Sequence, residues 1–102
     1  MRFIVDELPP SANKFRYFNS LKKSWIKRNL IIHNLKTIDK PCEVKISFFL
    51  TNKRNDIDNL LKCVFDLLQE SKVIKNDNLI YKLFAQKIIS NEEKIEIEIY
   101  LI

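Results

Sequence analysis

Two segments with a strict two-residue period constrain this chain more than anything else in it. Residues 43–50 read EVKISFFL, with Val44, Ile46, Phe48 and Leu50 at alternate positions. The tail KIEIEIYLI turns Ile95, Ile97, Ile99 and Leu101 to one side and Lys94, Glu96 and Glu98 to the other. Side chains of a strand point alternately to opposite faces, so both segments predict strands of a sheet with one buried face. RFIVDEL (2–8), stopped by Pro9-Pro10, and LIYKLFAQKII (79–89) are further strand candidates. SNEE, between the last two strands, predicts a hairpin turn. Elsewhere the period is helical. Residues 13–35 place Phe15, Phe18, Trp25 and Ile32 at spacings of three and seven, and residues 58–71 place Leu61, Val64, Phe65 and Leu68 at i, i+3, i+4 and i+7. The order β-α-β-α-β-β predicts an α/β (α+β) fold, a mixed sheet covered by two helices, in a single domain over residues 1–102.

Composition narrows the function classes. A chain of 102 residues with 46% hydrophobic content can pack a core, and its small size makes marginal stability or a dimer interface an expectation. There is no glycine, which excludes the glycine-rich phosphate loops and argues against nucleotide-cofactor chemistry. Cys42 and Cys63 lack metal-ligand spacing and are expected as small buried side chains, pointing to a reducing cytoplasm. MRFIVDELPP carries acids where a signal peptide needs an apolar run, and no stretch approaches about 18 uninterrupted apolar residues. Charge is uneven: residues 1–55 hold 12 Lys/Arg against 4 Asp/Glu, whereas residues 56–102 hold 6 against 9. A basic half beside an acidic half suits a protein that grips phosphates with one surface and gathers a metal ion with another.

The acidic stretch Asp56-Ile57-Asp58-Asn59, followed by Lys62, Asp66 and Asp77, is where chemistry is expected. In an extended entry to a helix, residues i and i+2 share a side, so Asp56 and Asp58 can offer two carboxylates to a hard, oxygen-seeking Mg²⁺. Lys62 follows one turn later, where it can counter charge developing on a cleaved phosphodiester. The same spacing also suits a helix N-cap by Asp56 or Asp58, with Asp58–Lys62–Asp66 as a surface salt-bridge ladder. Lys53 and Arg54 beside the acids, and Lys14, Arg16, Lys22, Lys23, Lys27 and Arg28 on the first helix, are either phosphate contacts or a solvated face. Trp25, Phe15 and Phe18 are expected in the core rather than stacked on bases, and His33 at the surface or its boundary.

The run Arg54-Asn55-Asp56-Ile57-Asp58-Asn59-Leu60-Leu61-Lys62, then Asp66, Leu68 and Asp77, resembles the signature of the RusA Holliday junction resolvases. Leu8-Pro9-Pro10-Ser11-Ala12-Asn13 resembles that family's N-terminal element. Asn76-Asp77 stands where the family usually has paired acids, and SNEEK where it usually has glycines. The resemblance implies catalytic, metal-binding roles for Asp56, Asp58 and Asp77, an active-site lysine at Lys62, Mg²⁺ as cofactor, and a homodimer nicking branched DNA symmetrically. The same chemistry on flaps or single strands, and a non-catalytic DNA-binding protein that retains the fold, are the alternatives.

Geometry leaves the placement of Asp77 open between two arrangements. A helix of about 13 residues carries its far end roughly 20 Å from the first two aspartates. The seven residues that follow span at most roughly 24 Å. Asp77 rejoins the pair in its own chain only if that loop doubles back along the helix, as Val73 and Ile74 would favour by packing on it. Otherwise a partner's Asp77 supplies the third carboxylate.

Overall fold

The computed structural model of the chain describes residues 1–9 and 19–102. Its elements run β1 (Arg2–Val5), α1 (Asn19–Asn29), a 3-10 turn (Ile31–His33), β2 (Cys42–Leu50), α2 (Ile57–Glu70), a second 3-10 turn (Asp77–Leu79), β3 (Ile80–Ile89) and β4 (Lys94–Leu101). The strands form one mixed sheet in the order β1-β4-β2-β3. β3 runs parallel to β2, and β4 runs antiparallel to β2 and β1. The α+β fold read from periodicity is the fold observed.

Register explains which face is buried. Phe3 lies opposite Ile97, and Ile97 opposite Ile46, so the three share one face of the sheet, and all are buried. Val5, Val44, Phe48, Leu50, Ile95 and Ile99 continue that face, and Trp25, Ile26 and Leu30 of α1 join it in one core with Leu60, Val64, Leu67 and Leu68 of α2. Both helices therefore cover the same side. Each such Leu or Ile contributes about 2 kcal/mol by leaving water. The other face stays open and polar: Arg2 reaches Glu96 at 3.5 Å, Gln86 donates to Ser47 at 2.9 Å, and the Lys94 ammonium lies 4.7 Å from the Phe49 ring centre. Trp25 is a core residue whose indole N–H donates to the Leu8 carbonyl at 3.2 Å. Cys42 and Cys63 are buried, and burial pushes the Cys42 thiol pKa up.

Five sequence expectations change. SNEE does not close a hairpin, because β2 lies between β3 and β4. The connection instead crosses the end of β2, where the Ser90 N–H donates to the Leu50 carbonyl at 2.8 Å. The helix expected over 13–35 stops at Asn29. The chain then tightens into the 3-10 turn and reverses at Asn34, whose φ of 49° is left-handed, a region Asn tolerates better than most residues. Of the residues expected early in that helix, Lys14, Phe15, Arg16 and Phe18 lie outside the described residues. The buried stripe of α2 is centred on Leu60, Cys63, Val64, Leu67 and Leu68, which leaves Leu61 and Phe65 at its margins. β1 ends at Val5 rather than residue 8, since Glu7 turns to bind α1, and Leu101 is 60% exposed at the end of β4, although it pairs with Cys42.

Candidate functional site

The entry to α2 is built around Ile57. This side chain packs against the core, while Asp56 before it and Asp58 after it are both exposed. Asp56 occupies the N-cap position with extended backbone, φ −76° and ψ 135°, yet its carboxylate makes no capping hydrogen bond. The reading of this stretch as a side-chain cap therefore lacks its bond. Asp58, Lys62 and Asp66 are exposed along α2 without ion pairs to one another, so the expected alternative of a salt-bridge ladder also fails. Two carboxylates and an ammonium thus stand at one helix head with no capping bond or ion pair among the described residues.

Cations gather at the same end. Lys53 and Arg54 are exposed in the loop after β2, where the Arg54 N–H donates to the Asn52 side chain at 2.9 Å. The Lys87 ammonium reaches from β3 to the Asn55 carbonyl at 2.8 Å, fastening that loop beside the end of the sheet. Sequence reasoning missed Lys87. Its signal was there: Leu83, Ala85, Lys87 and Ile89 pair with the inward-facing Val44, Ile46, Phe48 and Leu50, so a lysine interrupts an otherwise apolar face.

Asp77 lies at the opposite end. Helix α2 closes on Lys72, whose φ of 64° lets the Val73 N–H donate to the Leu68 carbonyl at 2.9 Å and the Lys72 N–H to Gln69 at 3.1 Å. Val73 and Ile74 are buried there, and Ile74 bridges to Ile38. The Asp77 N–H then donates to the Gln69 side chain at 2.9 Å. Eleven residues of helix separate Asp58 from Gln69, about 17 Å of rise. The same-chain arrangement is therefore not what this fold makes. Val73 and Ile74 do pack the loop, but they pin it at the C-terminal end of α2 instead of sending it back. Among the described residues, no three His, Cys, Asp or Glu converge as a metal site.

The fit to a divalent cation is partial. Two exposed carboxylates without competing partners suit Mg²⁺, which keeps several waters and commonly uses one or two carboxylates with substrate phosphate. Among the described residues of the single chain, no third carboxylate joins them.

The basic residues of α1 divide. Lys22 forms an ion pair with Glu70 and so sets α1 beside the C-terminal end of α2. Lys23 and Lys27 are exposed and unpaired among the described residues. Arg28 donates to Ser24 and, at 3.0 Å, to Glu7. That bond and a 2.8 Å bond from the buried Asn29 hold the Glu7 carboxyl pKa below its ordinary range. His33 sits at the boundary, its ring centre 5.4 Å from that of Phe3.

Comparison with known proteins decides the family. Endodeoxyribonuclease RusA matches residues 11–100, nearly the whole chain. The chain belongs to the RusA family. A relative, the crossover junction endodeoxyribonuclease RusA of Aquifex aeolicus (strain VF5), is 42% identical over 64 residues, covering 61% of this chain and 51% of the relative. This RusA chain thus spans about half the length of the curated relative it matches. No helix among its described residues is long and apolar enough to cross a membrane.

Proposed function

We propose that this chain is a Mg²⁺-dependent, structure-selective endodeoxyribonuclease, a homodimer that resolves Holliday junctions by paired symmetric nicks in DNA recombination and repair. One observation carries the reading. The acidic run Asp56-Ile57-Asp58 and Lys62, inside the segment matched to RusA, stand exposed at a helix head with no capping or pairing role. An acid whose part is to cap a helix start accepts a backbone N–H there, and Asp56 makes no such bond.

Each side chain has a part. Asp56 and Asp58 would hold the cation, with Asp77 as third ligand where assembly allows. The cation would supply Lewis-acid stabilisation of charge on the scissile phosphate. Lys62, one turn further along α2, lies where its ammonium offsets negative charge building on the phosphodiester during cleavage. Lys53 and Arg54 contact flanking phosphates and so position the strand without reading sequence, with Lys23 and Lys27 extending the grip. Lys14 and Arg16 belong to the same proposed DNA-binding set but lie outside the described residues. Lys87 is a positioning residue, since it acts by fixing the Asn55 carbonyl.

The test is a synthetic four-way junction, labelled on each strand in turn, incubated with and without Mg²⁺. Paired nicks at symmetric positions, dependent on metal, are expected. Cleavage of flaps or single strands with the junction untouched would replace the substrate, and junction binding with no cleavage would make this a DNA-binding protein that retains the fold.

A further inference from the structure

The end of α2 opposite the carboxylates carries a groove that the nuclease reading does not use. It opens where the 3-10 turn after α1 meets the last turn of α2, has a volume of about 160 Å³, and is lined by Leu30, Ile31, Asn34, Leu35, Ser71 and Val73. Leu30 and Val73 are buried and form its floor, whereas Ile31 and its neighbour Ile32 are 61% and 70% exposed. Two adjacent isoleucines held in water add nothing to the core they border, and contiguous apolar surface of this kind marks an interaction site. The groove is preformed. The Ile38 N–H donates to the Val73 carbonyl at 2.8 Å and the Lys75 N–H to the Ile38 carbonyl at 2.9 Å, which ties the chain after the 3-10 turn to the chain after α2.

Charge says what covers it. Lys36 follows Leu35, Lys72 follows Ser71, and Lys75 lies two residues beyond Val73; all three are exposed, and none forms an ion pair among the described residues. Of the nearby acids, Glu70 is taken by Lys22, and Asp39 and Asp77 lie four residues beyond Leu35 and Val73. The volume falls below the roughly 300 Å³ at which small-molecule and cofactor sites begin, and suits one large side chain. Nucleic acid fits poorly, because phosphates would use the lysines but leave the apolar floor uncovered. Bases stack on aromatic rings, and the lining has none. We propose that this groove binds a short acidic segment of a partner protein, with one aliphatic or aromatic side chain seated over Leu30 and Val73 and flanking carboxylates meeting Lys36, Lys72 and Lys75. Asn34 and Ser71 add an amide and a hydroxyl for the backbone of that segment. A partner held here tethers the protein while the head of α2 stays open. The inference does not depend on the nuclease reading, since none of these residues is assigned to cleavage or to the grip on DNA.

The probe is a fluorescein-labelled decapeptide of aspartates and glutamates with a single central leucine, titrated with the full chain and read by fluorescence anisotropy. Binding should saturate, and should be about tenfold weaker when serine replaces the peptide's leucine or when Ile31→Ser removes the apolar wall. The triple variant Lys36→Gln/Lys72→Asn/Lys75→Gln should bind several-fold more weakly and with less dependence on salt. Ile31 is largely exposed, and Asn tolerates the left-handed backbone at residue 72, so both variants should keep the wild-type circular dichroism. In amide NMR spectra the peptide should shift the signals of Ile31, Leu35, Ser71 and Lys72 and leave those of Asp58 and Lys62 in place. No saturable binding, equal binding of the serine peptide, or shifts spread over the whole basic surface would each overturn the proposal. A four-way junction that shifts the same amides and displaces the peptide would overturn it by making the groove a DNA surface. A changed mass of Ile31→Ser in light scattering would overturn it by making the groove a subunit contact. Cleavage enters none of these readouts, so a protein that binds the peptide as expected but cuts no junction fails the functional reading and keeps this one.

Discussion

Glu7 offers the sharpest stability test of how the first helix is held. Its carboxylate accepts from Arg28 Nε at 3.0 Å, from a second Arg28 nitrogen at 3.2 Å, and from Asn29 Nδ2 at 2.8 Å. Asn29 is 6% exposed, and its amide nitrogen also donates to the Trp25 carbonyl at 3.1 Å. Glu7→Ala leaves the remaining amide N–H of a buried side chain without a partner, at a cost of about 1–2 kcal/mol. The Arg28 ion pair is solvent-screened and adds little. For a domain of this size Tm should fall by roughly 6–12 °C. Arg28→Ala should cost far less, and Glu7→Gln, whose amide oxygen still accepts from Asn29, should fall between. The acid limb carries the sign. Hydrogen bonding from Arg28, then Asn29, lowers the Glu7 pKa below its ordinary value of 4.5. This contribution is therefore complete above that value and is lost as pH falls through the lower folded value. Thermal melts of the wild type and Glu7→Ala between pH 7 and 3 should show the gap narrow on acidification toward that of Glu7→Gln, since the protonated carboxyl still accepts from Asn29. A Glu7→Ala protein no less stable than Arg28→Ala, or a gap that widens on acidification, would refute the reasoning.

Asp56→Asn and Asp58→Asn should each abolish junction cleavage while leaving Tm nearly unchanged, because exposed carboxylates without bonds contribute within about 0.5 kcal/mol; retained cutting in a gel assay would dismiss the assignment. Lys62→Ala should likewise slow cleavage severely at unchanged Tm, whereas a large fall in Tm would restore a structural role. Junction affinity should drop steeply with salt, and neutralising Lys23 and Lys27 should flatten the log–log slope by about 0.9 for each phosphate they neutralise in the wild type. An unchanged slope would move the grip to Lys53 and Arg54. Lys72→Gly should raise stability by about 1 kcal/mol, seen in urea melts, by relieving a left-handed backbone that a side chain disfavours.

What was legible in the sequence was what local periodicity encodes. Val44 to Leu50 and Ile95 to Ile99 alternate because one face of each strand is buried, and they are found as read. The α2 stripe was displaced by a residue, since Leu60 and Leu61 both satisfy a helical pattern and only packing chooses between them. SNEE has the same turn chemistry whether its strands pair or straddle a third, so the insertion of β2 left no local mark. The head of α2 was readable because two acids, an asparagine and a lysine exceed what a cap requires. The position of Asp77 was not, because it depends on a left-handed Lys72 and on Ile74 meeting Ile38, residues with no turn signature. In a chain without glycine, such reversals fall to Asn34 and Lys72, and sequence reading loses its usual punctuation.

The most direct test of the central claim is cleavage of a labelled four-way junction by the wild type and Asp56→Asn proteins, each with Mg²⁺ and with chelator. The wild type with Mg²⁺ should cut two opposed strands at symmetry-related positions, and the other three reactions should leave the junction bound but whole. Cutting by Asp56→Asn at the wild-type rate, or nicking that persists in chelator, would contradict it.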